Sequence, residues 1–582
     1  MGEKYDTLKA DVLVVGGGGA ACRAALEADM AGADVILAVK GAFASIGIRG
    51  AGSTAGGVSD RGGVAYPGIP GIQGFDPKGA PLLSIEKDYA NILQLGLGMA
   101  DRKLARILAE QAFEVMRPLV EDWSREIVPR QWGMKSHGIP IMFGLTRMLR
   151  DSHVRIMEHT MVTHLLTEEG RIAGAVAIDE YSGEVTVIKA GAVILGTGGK
   201  GNLFKHSLTS TCNTGDGYAM AYKAGAELMN FEFKQVFPGI IYPTLNHFSA
   251  WFFVPHAKVT NALGEEYLPK YLPEGITVEE VYKQRSMHGP FSVRDSASRY
   301  FDVATLMETK EGRANGHDAL YIDLTDPRVV DPLVKPRHDY FYYRGVRYLE
   351  EPIEFNICFH CSNGGVVIDE NAQSAVPGLY AAGECASGPH GANRMAGHML
   401  TASQVFGKIA GRHATAATRG RKVPDPRERR IQAALDEIRL LREMKRGERL
   451  IAVKKDLQRL AWETMMVHVN EDLLNLAMKG MSEIRKDRMV KLNVQTVDDL
   501  VNALELNNLL LSGEILARTT KMRKESRGDL YREDYPLRDD KNWNRVIKVK
   551  DQGGKVVLTT EVIDPDWPAS ERQGDMFGLR WG

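Results

Sequence analysis

The residues of this chain that could do chemistry sit mostly in glycine-rich clusters. The first, Gly16-Gly-Gly-Gly-Ala-Ala21, follows the apolar run Asp11-Val-Leu-Val-Val15 and has the spacing Gly16-x-Gly18-x-x-Ala21. Glycines placed so between a strand and a helix let a dinucleotide pyrophosphate approach the backbone at a helix N-terminus, where the dipole favours its charge. One part of that pattern is absent. The acid that would bind a ribose hydroxyl at the end of the second strand is replaced by Val39 and Lys40. Further clusters lie at Gly47 to Gly57, Gly196-Thr-Gly-Gly199, Thr214-Gly-Asp-Gly217, Gly383-Glu384 and Gly391-Ala-Asn-Arg394. Cys358-Phe-His-Cys361 has ligand-like spacing, but a structural zinc or iron-sulfur site needs about four ligands and there is no second cysteine pair, so no metal site is expected.

These clusters need elements to hold them. Asp11–Val15, an alanine-rich helix over Cys22–Ala31 and a second strand over Asp34–Val39 form a βαβ unit. The apolar run Ala192–Leu195 ends in the second small-residue turn, Tyr218–Ala226 is a helix, and Gly378–Glu384 is a strand ending in Gly-Glu. The cofactor fold is therefore interrupted. Residues 236–354, rich in aromatics and turns, read as a mixed cap. Pro424 and Pro426 mark a linker, after which apolar stripes over 431–441, 457–474 and 500–516 predict a three-helix bundle. Two β-like runs, Val546–Val549 and Lys555–Thr560, flank Gly553-Gly554. The 582 residues carry 73 Lys+Arg against 74 Asp+Glu, so no basic field gathers nucleic acid or anionic membrane. Five scattered cysteines argue against a disulfide framework. The polar start, Met1 to Lys9, has no signal-peptide pattern, and no apolar run reaches the ~18 residues of a membrane span. A cytoplasmic protein is expected, with any membrane association made through a partner.

Together the motifs resemble the flavoprotein subunits of fumarate reductase, succinate dehydrogenase, L-aspartate oxidase and adenylylsulfate reductase. The resemblance rests on the N-terminal glycine motif, Thr197-Gly-Gly199, Asn213-Thr-Gly-Asp-Gly217, Phe231-Glu-Phe233, Ala382-Gly-Glu384, His390-Gly-Ala-Asn-Arg394, Glu525-Ser-Arg-Gly528 and Arg532-Glu-Asp-Tyr-Pro536. It implies an α/β fold with a Rossmann-like FAD-binding domain (1–235 and 355–420) interrupted by an α+β capping domain (236–354). A helical bundle (425–524) and a small C-terminal domain (525–582) follow. It implies FAD held by Gly16, Gly18, Gly19, Ala21, Lys40, Gly56, Gly57, Thr197, Gly198, Asp216, Glu384 and Arg394. The implied chemistry is hydride transfer between flavin and a carboxylate substrate. Arg294 in Ser292-Val-Arg-Asp295 is the implied proton donor, with Arg299 the alternative, and His360 and Arg394 are the implied carboxylate site. A guanidinium pairs with a carboxylate through two parallel hydrogen bonds.

Three departures bear on function. Ile46 to Gly57 contains no histidine, so FAD is expected to be non-covalent. Phe237 stands where the family has a histidine for a second carboxylate, and Asn261-Ala-Leu-Gly-Glu265 replaces the loop that completes that site. The stretch from Ala250-Trp-Phe-Phe253 to Tyr267 is instead similar to adenylylsulfate reductase, which puts Trp251 in the pocket beside Phe237; His398 either lines the site or supports it. The expected activity is therefore that of a fumarate reductase/succinate dehydrogenase-like oxidoreductase acting on a carboxylate other than fumarate. The alternatives are an adenylylsulfate reductase-like flavoprotein, an oxidase and a non-catalytic electron-transfer protein. No cysteine spacing holds a cluster, so electrons must come from a soluble donor or a second protein; the resemblance favours the second and implies an iron-sulfur partner subunit.

Overall fold

A computed structural model describes residues 5–43, 84–121, 138–247, 256–286, 291–293, 297–329, 342, 344–395 and 397–567. Arg294, Trp251, Gly56 and Gly57 lie outside the described residues. The main sheet runs Arg155–Met157, Val35–Ala38, Asp6–Val15, Val185–Leu195, Arg171–Asp179, Thr160–Glu168. Its first four strands are parallel. Val12–Val14 and Val35–Leu37 are buried on both faces, as continuous apolar runs in parallel strands are. The strand Val185–Leu195 forks the sheet: its first half pairs antiparallel with Arg171–Asp179, and its second half pairs parallel with Leu379–Ala381. The cofactor fold thus resumes after the insertion.

The helix Gly19–Met30 packs on the helix His398–Thr418. Small residues bring their backbones together. A Cβ on Gly411 would lie 2.4 Å from the Ala24 carbonyl oxygen, and one on Gly407 would lie 2.8 Å from that of Ala20.

The cap is an antiparallel sheet in the order Lys258–Thr260, Leu320–Asp323, Ile353–Ser362, Lys234–Tyr242, Asn246–His247. The helices Val278–Ser286 and Arg299–Lys310 are joined by the buried pair Arg285–Asp302 at 2.9 Å. Two strands of the cap sheet, Lys234–Tyr242 and Ile353–Ser362, run across the expected limits at 235/236 and 354/355, so both domains are built on the same pair of strands.

The bundle has four helices, not three: Glu428–Arg442, Leu450–Met465, Glu471–Glu483 and Val497–Met522. The stripe from Leu457 to Leu474 is continuous in sequence, but the helix ends at Met465. Val469 bridges to Arg532, and Asn470 caps the next helix by accepting from the Leu473 N–H at 3.0 Å. A local cap thereby overrides the periodicity. The hairpin Val546–Gln552 and Lys555–Glu561 turns through Gly553 and Gly554, both with positive φ, as two-residue hairpins require. It continues a sheet with Leu228–Met229, Gly365–Val367 and Ala386–Ser387. Among the described residues, no helix is long and apolar enough to cross a membrane.

Candidate active site

At the end of the first strand Gly16 has φ +120°, and a Cβ there would lie 2.4 Å from the Gly196 carbonyl oxygen. Only glycine fits where two parallel strands end so close together. The following helix starts at Gly19, with Gly18 as its N-cap and no side-chain cap hydrogen bond, and a helix N-terminus of this kind favours an anion. Gly198 is also left-handed, against Asn213. Glycine turns, an uncapped helix start and the adjoining acids Asp216 and Glu384 fit the phosphates and hydroxyls of FAD.

Lys40 is one of the expected cofactor residues, but its ammonium is committed within the protein. It donates to Thr214 Oγ1 at 2.7 Å and to Asp216 Oδ2 at 2.7 Å, and lies 3.0 Å from Glu505 Oε1. Burial works against this charge, but Asp216 and Glu505 outweigh it and raise the Lys40 pKa. Asp216 opens the helix Asp216–Lys223 and also accepts from Asn508 Nδ2 at 2.9 Å.

Glu384 is held from three sides. The Ser362 N–H donates to its Oε1 at 2.8 Å, and a Cβ on Gly199 would lie 2.1 Å from that oxygen. The Tyr218 hydroxyl donates to its backbone carbonyl at 2.8 Å. Burial pushes its carboxyl up to about 7. Lys200 is fully buried nearby, donating to Ser362 Oγ at 2.8 Å and lying 4.0 Å from the Phe231 ring centre; burial pulls its pKa down to about 7. Sequence reading did not single out Lys200, although it directly follows the flagged Thr197-Gly-Gly199.

The expected carboxylate site brings together side chains from different segments. Arg394 is 5% exposed. Its Nε donates to Gln235 Oε1 at 3.0 Å, its Nη1 to the Met395 carbonyl at 2.8 Å, and its Nη2 lies 3.3 Å from His360 Nε2. Gln235 in turn donates to Asn393 Oδ1 and to the Arg394 carbonyl, both at 2.9 Å, so one amide fixes the turn and its guanidinium together. Gln235 was missed, although it lies two residues before Phe237 on a strand and therefore on the same face. His360 owes its position to a register shift: Phe359 pairs with Val236 and Cys361 with Gln235. This leaves His360 as the extra residue of a bulge, a device that re-aims a side chain. The Phe237 ring meets the imidazole edge-on at 4.9 Å between centroids.

Other expected residues are placed elsewhere. His398 is buried at the start of its helix, with Nε2 3.3 Å from Asp88 Oδ1 but not aligned as a hydrogen bond. Arg299 lies over the rings of Tyr300 and Tyr531 at 5.2 and 5.3 Å. Asn261 accepts from the Leu263 and Glu265 N–H groups and donates to Glu308 at 3.0 Å, which ties that loop to the cap helix. The Cys361 thiol donates to Gln235 Oε1 at 3.2 Å and burial raises its pKa to about 12. Cys358 donates to the Asn356 carbonyl at 3.7 Å.

The dinucleotide-type sheet and its glycine turns suit an FAD-dependent oxidoreductase, and comparison with known proteins shows that the chain is one. A model of the FAD binding domain matches residues 123–400, and one of the fumarate reductase flavoprotein C-terminus matches 454–573. An uncharacterized FAD-dependent oxidoreductase of Methanocaldococcus jannaschii is 30% identical over 93% of this chain and 97% of its own. One of the subunits of the CoM/CoB fumarate reductase of Methanothermobacter marburgensis is 28% identical over 92% of this chain and 96% of its own. The flavoprotein of E. coli quinol fumarate reductase shares the fold, with a TM-score of 0.78 at 24% identity over 96% of this chain and 97% of that one. The chain belongs to the flavoprotein family of fumarate reductase, succinate dehydrogenase and L-aspartate oxidase, and its cofactor is FAD.

Proposed function

We propose that this flavoprotein moves a hydride between FAD and the C=C or C–C bond of a carboxylate substrate other than fumarate. The observation that carries this reading is that Arg394, oriented by Gln235 and beside His360, can take one carboxylate, while the apolar ring of Phe237 packs against His360 and, by the resemblance, stands where a donor for a second carboxylate would be. Bound FAD supplies the hydride chemistry. The chain's residues do the rest. Arg394 binds and orients the carboxylate by charge-assisted hydrogen bonds. His360, accepting from Arg394 through Nε2, has its other ring nitrogen protonated. Phe237 excludes water from one wall. Arg294, by its sequence position, is the residue proposed to deliver a proton to the substrate carbon opposite the hydride.

A second carboxylate buried against Phe237 would be an uncompensated charge, which is costly, so substrates with an apolar far end are favoured. FAD is proposed to be non-covalent, since the second glycine cluster has no histidine, and the electrons are proposed to come from an iron-sulfur partner subunit, as the resemblance to the fumarate reductase and succinate dehydrogenase flavoproteins favours in a chain with no cysteine spacing to hold a cluster. The test is anaerobic reoxidation of the reduced flavin by fumarate, acrylate-like and cinnamate-like acids, and adenylylsulfate. A monocarboxylate is expected to reoxidise it fastest. Fumarate as the best oxidant would refute the substrate assignment, and reoxidation by adenylylsulfate alone would move the chain to that branch of the family.

A further inference from the structure

The bundle helix Val497–Met522 presents one face to the cofactor domain. Glu505, Asn508 and Ser512 recur at spacings of three and four, so they share a side of that helix. Each meets the same short segment or the lysine beside it. Glu505 Oε1 is 3.0 Å from Lys40 Nζ, and Asn508 Nδ2 donates to Asp216 Oδ1 at 2.9 Å. A Cβ on Gly215 would lie 2.4 Å from Ser512 Oγ, so the turn into the Asp216 helix rests directly on the bundle. Glu505 is fully buried and its other oxygen takes Lys454 at 3.2 Å. Two ammonium groups and two carboxylates therefore close into a cluster without net charge, half of it from the bundle.

Lys40 sits at the end of the second parallel strand, where an acid ordinarily accepts the ribose hydroxyls of a dinucleotide. With Thr214, Asp216 and Glu505 around it, all three ammonium donors are used. The carboxylate at this strand end is instead Asp216, brought there from its own helix. We propose that Glu505 and Asn508 are positioning residues for the ADP half of FAD: they hold Lys40 and Asp216 so that Asp216 supplies the missing ribose acceptor. Without Glu505, Lys40 keeps only Asp216 of its two carboxylates and draws it into a tighter pair. Without Asn508, Oδ1 of Asp216 keeps only the Thr214 hydroxyl, 3.0 Å away and shared with Oδ2. The inference rests on Asp216 lying at the ribose, and the test separates the two claims.

The measurement is the affinity of full-length apoprotein for FAD, ADP and FMN, alongside apoprotein melting. Glu505→Gln is expected to weaken FAD and ADP binding at least tenfold and leave FMN unchanged, a split that a general loss of packing would not give. Should Glu505→Gln fail to fold, Asn508→Ala keeps every charge of the cluster and is expected to weaken ADP at least threefold with FMN unaffected. Wild-type ADP affinity in a folded Glu505→Gln or in Asn508→Ala overturns the proposal, as does an equal loss for FMN. Asp216→Asn serves as the control on the premise. If it binds FAD and ADP like wild type, the ribose placement itself is wrong and the proposal falls with it; if it loses ADP while the bundle variants do not, only the role of the bundle is refuted.

Discussion

The two ends of the site are built from different materials. The cofactor end is made by backbone: left-handed glycines, an uncapped helix start and strand termini that touch. The proposed substrate end is made by side chains, with Gln235 from one cap strand, His360 from the bulge in its neighbour and Arg394 from a turn that follows. Backbone built from glycine tolerates no added atom but is indifferent to what is bound beyond the phosphates. A side-chain cradle tolerates substitution and changes its preference by a single residue. The first end should therefore fail outright when altered, and the second should fail by degrees.

Gly16→Ala puts a methyl group 2.4 Å from a carbonyl oxygen at a backbone angle that L-residues rarely adopt, and the expected outcome is a protein purified without FAD. Retention of stoichiometric flavin, read from the visible spectrum, would break the comparison at its stronger side. Arg394→Ala should keep most of its FAD and lose at least about a thousandfold in kcat/KM, about 4 kcal/mol of transition-state binding. Loss of flavin on the same scale would mean that the two ends are one. Phe237→His is expected to raise fumarate kcat/KM by about tenfold, near 1.4 kcal/mol, since it restores a donor while the Asn261–Glu265 loop stays tied to Glu308. No change there would place the second carboxylate elsewhere.

The smallest effect concerns pH. Burial raises the Glu384 carboxyl from 4.5 to about 7, so the folded apoprotein holds a proton that the unfolded chain releases between those values. Its contribution to stability is complete below about pH 4.5 and is lost as pH rises through about 7. Glu384→Gln should therefore melt with a flatter pH dependence between pH 4.5 and 7 than wild type, measured by calorimetry on apoprotein. An unchanged slope would show that Glu384 is already ionised across that range.

The same contrast explains what was legible in the sequence. Gly16 and Gly18 stood out because a βα turn fixes both residue type and spacing, whereas Asp216, Glu384 and Arg394 were expected through the resemblance. His360 was visible by resemblance, but the bulge that aims it was not, since a register shift depends on the partner strand. Gln235, Lys200 and Glu505 carry no local signal that separates them from ordinary polar positions; their burial is decided by segments far away in sequence. The fourth bundle helix was hidden because Asn470, a cap, lies inside a stripe whose apolar period continues through it.

The hairpin Val546–Glu561 has a consequence for the order of folding. Its first strand is the partner of Leu228–Met229, more than half the chain upstream, and the main sheet waits similarly for Leu379–Ala381. Pairings this distant must close long loops before any contact rewards them, which slows folding. During synthesis the strand at Leu228 thus has an open edge until almost everything downstream has emerged, so the apoprotein is most exposed to aggregation as a nascent chain.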